Sequence, residues 1–132
     1  MPVSEVLKTL RQANGYYITN TARDLSQSYF KNRILLHTDL LAARSREKAG
    51  YFSLEITGGA SIHVDILRKQ VNPFTKLKVL REKMPQTMFQ TLCRGVNLFG
   101  YRPYPQNVIR FTVREFAKYV DVWRTFDFMN HI

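Results

Sequence analysis

The feature that most constrains this chain is the steady alternation of helix-like and strand-like segments along its 132 residues. Residues 4–11 read as a short leading helix, with Ser4 as N-cap and Val6, Leu7 and Leu10 on one face. Residues 16–19, Tyr-Tyr-Ile-Thr after Gly15, have the aromatic and β-branched character of a strand. Thr38 is placed to cap a helix carrying Leu40, Leu41 and Ala42, with Gly50 at its C′ position. A second strand over 51–56 closes at Gly58-Gly59, and a helix over about 60–69 follows. Asn72-Pro73 opens another helix, with Phe74, Leu77 and Leu80 on one side and Pro85 beyond its end. Residues 88–92 form the third strand pattern, 108–117 a helix and 120–126 a fourth strand.

Strands that alternate with helices pair in parallel through right-handed crossovers. Two α/β architectures satisfy this pattern, a doubly wound open sheet and part of a (β/α)8 barrel. No Gly-x-Gly-x-x-Gly turn follows the first strand, which removes the dinucleotide-binding version. Polar residues instead cluster after strand ends: Arg23, Asp24 and Gln27, then Glu55, Arg94 and Asp127. Barrel enzymes keep their chemistry there. The expectation is a single unit over residues 1–132, a partial (β/α)8 barrel of about four parallel strands with intervening helices and the leading helix.

Charge and composition narrow the function classes. Lys and Arg total 20 against 10 Asp and Glu, a net charge of +10. The basic residues are spread evenly, and the densest group (Arg68, Lys69, Lys76, Lys78, Arg81, Lys83) reads as a solvated helix face. No RNA-binding aromatic motif, zinc finger or helix-turn-helix spacing accompanies it, so nucleic acid is not the expected partner. One cysteine, Cys93, excludes an internal disulfide, and no apolar run reaches the roughly 18 residues of a membrane span. The first residues lack a secretory pattern, and the expected compartment is the cytoplasm or mitochondrial matrix.

Four stretches together resemble the carboxyltransferase domain of biotin-dependent enzymes, the family of pyruvate carboxylase, the oxaloacetate decarboxylase alpha subunit and transcarboxylase. They are Arg23-Asp24-Leu25-Ser26-Gln27-Ser28; Lys48-Ala49-Gly50-Tyr51-Phe52-Ser53-Leu54-Glu55 with Gly58-Gly59-Ala60; Arg94-Gly95-Val96-Asn97 running to Gly100-Tyr101-Arg102; and Asp121-Val122-Trp123-Arg124-Thr125-Phe126-Asp127. Met84-Pro85-Gln86-Thr87 resembles a family junction as well. The resemblance implies a (β/α)8 barrel that passes a carboxyl group between carboxybiotin and pyruvate through an enolate, or decarboxylates oxaloacetate. It implies a divalent metal (zinc, manganese or cobalt) held by an aspartate, a His-x-His pair and a carbamylated lysine, and biotin carried on a partner domain. By position, Asp24 would be the metal-binding aspartate. Arg23 and Gln27 would act catalytically against the substrate carboxylate and the developing enolate. Arg94 and Tyr101 would bind substrate on the biotin-entry side.

The chain also departs from the family pattern. Ser26 stands where the family usually has histidine, Leu25 where it has a small residue, Thr57 for tryptophan and Val96 for glutamine. The segments before Arg23 and near Tyr119 each look one residue short. The histidines, His37, His63 and His131, form no His-x-His pair, and the family's lysine falls beyond Ile132. One metal ligand of four, Asp24, is therefore expected, so the site is incomplete and this chain alone holds neither metal nor biotin. The expected state is a truncated, inactive domain, or alternatively a structural subunit, an interaction module or one half of a split enzyme. Its open strand faces and edges are expected to be covered by self-association or by a partner protein.

Overall fold

The computed structural model describes residues 3–126. The helices are α1 (Val3–Gln12), α2 (Ala22–Ser28), α3 (Leu36–Lys48), α4 (Ala60–Leu67), α5 (Pro73–Lys83) and α6 (Gln106–Phe116). The strands are β1 (Thr19–Asn20), β2 (Ser53–Gly58), β3 (Met88–Cys93) and β4 (Val122–Thr125), and a 3-10 turn spans Gly95–Asn97. One sheet has the order β1-β2-β3-β4 with every pair parallel. This is the expected α/β plan of a partial barrel.

Strand alternation sorts the side chains into two layers. Leu54, Phe89, Cys93 and Trp123 face the helices, where Leu77, Leu80, Met84, Phe99 and Phe116 complete the core. Phe116 lies edge-on to Trp123, with ring centroids 6.4 Å apart. Cys93 belongs to this packing: burial pushes its thiol up to about 12, which leaves it a core residue rather than a nucleophile. The opposite face carries Ser53, Glu55, Gln90 and Arg124. All six residues of β2 are buried, as in a strand covered on both sides.

Several local readings need correction. The leading helix begins at Val3, so Ser4 lies inside it rather than capping it. Only Thr19 and Asn20 pair as β1, while Tyr16 and Ile18 are exposed at 99% and 65%. Their aromatic and β-branched character favours a strand, but little packs on them to hold one; a single bond, from Phe52 N–H to Ile18 C=O, ties them to the sheet. Helix α3 starts at Leu36 with Leu35 at the cap and no capping side chain, which places Thr38 within it. Gly50 does take the C′ position, at φ 68°. Asn72 caps α5 by accepting from the Phe74 and Thr75 amides.

The basic hairpin is not simply a solvated face. Asp65, 1% exposed, accepts from Lys69 Nζ at 3.0 Å and from Lys76 Nζ at 2.8 Å, which ties α4 to α5. Lys69 also donates to the Ile34 carbonyl. Arg81 donates to the carbonyls of Thr87 and Tyr119 and to Asp121 Oδ2, with its guanidinium over the Phe89 ring at 3.9 Å. Asp121 Oδ2 accepts from Phe89 N–H as well, so Arg81 and Asp121 lock the starts of β3 and β4 together. Charge count alone cannot separate such internal cations from solvated ones.

Candidate active site

Parallel strands end on the same side, so the residues just past β1, β2 and β3 form one rim. Helix α2 follows Asn20 almost at once and carries Arg23, Asp24 and Gln27 to that rim. Gly58 and Gly59 close β2, and Arg94 follows β3 directly. The register of β2 against β3 skips at Ile56, a bulge of the kind common beside binding sites. It brings Gly58 against Leu92 so closely that a Cβ there would overlap the Leu92 backbone. Gly59, at φ 53°, is the meeting point: a Cβ would lie 3.7 Å from both Gln27 Oε1 and Arg94 Nη2.

Beneath the rim, Glu55 organises the charges. It is fully buried, and Arg23 Nε and Nη2 donate to its Oε1 at 2.8 and 2.5 Å. Its Oε2 accepts from Gln90 Nε2 at 3.0 Å and from Arg124 Nε at 2.8 Å. Ser53 Oγ donates to Gln90 Oε1, which completes the chain of bonds. A buried carboxylate satisfied this fully holds its partners in one geometry. Arg23 Nη1 reaches Gln27 Oε1 at 3.0 Å and Asp24 Oδ1 at 3.1 Å. Arg23, Gln27 and Asp24 thus form one hydrogen-bonded group, with Arg23 buried and the Asp24 side chain half exposed.

The far side of the rim is the loop after β3. Arg94 Nη1 donates to the Gly100 carbonyl, and its guanidinium lies 4.7 Å from the centroid of the Tyr101 ring. Tyr101 is 72% exposed and 5.9 Å from the His63 ring, while His63 Nε2 is 3.3 Å from Tyr104 Oη. Arg94 and Tyr101 therefore pair, as do Arg23 and Gln27, and Gly59 lies where the two groups approach. Three cations, Arg23, Arg94 and Arg124, face two carboxylates, Glu55 and Asp24, so the rim carries a surplus of positive charge. Such a surface suits a small anion and stabilises negative charge that develops on it.

No protein-family model matches the chain. Individual proteins do. The chain is 35% identical over 132 residues to pyruvate carboxylase of Staphylococcus aureus, covering 96% of this chain and 11% of that protein. It is 37% identical over 109 residues to the methylmalonyl-CoA carboxyltransferase 5S subunit of Propionibacterium freudenreichii subsp. shermanii, covering 82% and 22%. The carboxyl transferase domain of Rhizobium etli pyruvate carboxylase, solved with pyruvate, superposes with a TM-score of 0.87 at 32% identity, over 94% of this chain and 22% of that one. The chain belongs to this carboxyltransferase family. It spans about a fifth or less of the length of the curated relatives it matches.

Within this carboxyltransferase-family chain, the donors for a metal do not gather. Among the described residues no group of three or more His, Cys, Asp or Glu side chains is placed to hold an ion. Asp24 Oδ1 meets Arg23 and its Oδ2 accepts from Ser28 Oγ. One carboxylate so engaged does not fit a divalent cation by itself. Asp127 and His131 lie outside the described residues.

Two residues of this site have roles that sequence reasoning misses. The sequence pattern puts Glu55 after a strand end, whereas it sits inside β2, and Arg124 stands out only as part of a motif. Arg124, half exposed on β4, carries no sequence signal of its own, whereas for Glu55 the signal is a charged residue inside a buried strand. Its use depends on the register between β2, β3 and β4, which sequence does not state.

Proposed function

We propose that this chain supplies the first four strands of a carboxyltransferase barrel and the anion-binding wall of its active site. The observation that carries this reading is the approach of Gln27 and Arg94 at Gly59 at one end of parallel strands, with Arg23 bonded both to Gln27 and to the Glu55 carboxylate. The substrate class is a small 2-oxo acid, pyruvate or oxaloacetate. Arg94 binds its carboxylate, and Tyr101 covers the entry side where biotin on a partner domain arrives. Arg23 and Gln27 supply positive charge and a hydrogen bond to the enolate oxygen as it develops. Asp24 would contribute one oxygen to a divalent metal only if the remaining ligands were supplied from elsewhere, so the chain alone does not complete carboxyl transfer.

Oxamate, an unreactive 2-oxo-acid analogue, tests the wall directly. Titration followed by amide NMR should shift Gly59, Gly95 and Gly100 in a saturable way, and Arg94→Gln should abolish those shifts. Shifts scattered over the basic surface, or unchanged in Arg94→Gln, would overturn the assignment. A second reading, an interaction module without chemistry, is favoured by the exposed strand β1 and the half-exposed Phe126 beside β4. It predicts no localised oxamate response together with tight docking of other barrel strands.

A further inference from the structure

The helical layer holds a second charged site, which shares Arg23 with the rim. A cavity of about 20 Å3, room for one water-sized body, lies between β2 and helices α2 to α5. Four cations line it, Arg23, Arg46, Lys69 and Lys76, with the hydroxyl-bearing Ser26 and Ser61. Three of the four are matched: Arg46 pairs with Asp39 at 3.0 Å, Arg23 with Glu55, and one lysine with Asp65. The other lysine is not. A single buried carboxylate, Asp65, faces both Lys69 and Lys76, whose side chains are 11% and 7% exposed. Lys76 has three N–H donors, and among the described residues its hydrogen bond goes to Asp65 Oδ2 alone.

An unbalanced charge in so enclosed a place is costly unless a counter-charge or loss of a proton removes it. We propose that the cavity binds one small monovalent anion of halide size, held by Lys76 and Lys69 against the Arg46 side. One negative charge closes the local balance, and the small volume favours a halide over a larger oxyanion. The proposal stands on this cavity and not on the substrate reading. Arg23 belongs to both sites, so occupancy of the cavity stiffens the residue that holds Gln27 and Glu55.

Chloride is the probe. Thermal unfolding of the full 132-residue chain is compared in potassium chloride and potassium glutamate at matched ionic strength, which cancels general screening of the +10 charge. Chloride at about ten times its Kd should raise Tm by about 4 °C over glutamate. Lys76→Met should remove that difference, and the exposed Lys78→Met should keep it. Because Lys76→Met could fail to fold, the 35Cl line width of the unaltered protein is the second measurement: saturable broadening, displaced by bromide, is expected. Equal Tm in both salts, or broadening linear in chloride, means the cavity holds water only and overturns the proposal. So does an NMR titration showing that Lys69 or Lys76 is neutral at pH 7.

Discussion

At the residue scale, Glu55 decides whether the rim exists. Its carboxylate is fully buried and serves two arginines and a glutamine. Glu55→Gln removes the buried carboxylate that Arg23 and Arg124 share and leaves Arg23 only the half-exposed Asp24, and breaking a buried pair in this way costs about 3 kcal/mol. Urea unfolding should show a lower midpoint with an unchanged slope. Glu47 makes a different prediction. Burial opposes its ionisation, but hydrogen bonds from the Thr87 hydroxyl and the Gln86 and Thr87 amides outweigh that and hold its carboxyl below the ordinary 4.5. A lowered folded value means its contribution is present above pH 4.5 and is lost as pH falls through the folded value. The urea midpoints of the unaltered protein and Glu47→Gln should therefore differ at pH 7 and converge in acid.

At the scale of elements, the bulge in β2 and the two glycines behind it shape the rim. Gly58 lies at φ 120° with the Leu92 backbone against it, so Gly58→Ala combines an unfavourable conformation with a steric overlap. Destabilisation of about 3 kcal/mol is expected, measured as a fall in the urea midpoint. Gly50→Ala, with open space around its Cβ at φ 68°, should cost less. The glycine pair is visible in the sequence as a strand terminator, and so is the order of strands and helices, because periodicity and punctuation are local. The bulge is not visible there, since it is defined by which residue of β3 faces Thr57. For the same reason Arg23, Gln27 and Arg94 can be placed after strand ends from sequence, and Tyr101 named only through the family resemblance, while the anchoring role of Glu55 cannot be read at all. Lys76 shows the limit most clearly: only the position of Asp65 on the preceding helix reveals that it is an internal cation.

At the scale of the whole molecule, the described sheet has β1 at one edge and β4 at the other, with no further strand on either among the described residues. Parallel sheets are normally enclosed, and exposed edges flanked by Tyr16, Ile18 and Phe126 favour association. The net charge of +10 opposes contact between two copies, and salt screens that repulsion over about 8 Å at 0.15 M. These opposing effects give the direction of the outcome. Size-exclusion light scattering should report a mass above 15.5 kDa that increases with salt. Association driven by charge complementarity with an acidic partner would weaken with salt instead. The double variant Tyr16→Lys, Ile18→Lys places charge beside the β1 edge without touching the core, and should return the protein to a monomer with little change in Tm. A salt-independent monomer in the unaltered protein would show that these edges do not drive self-association.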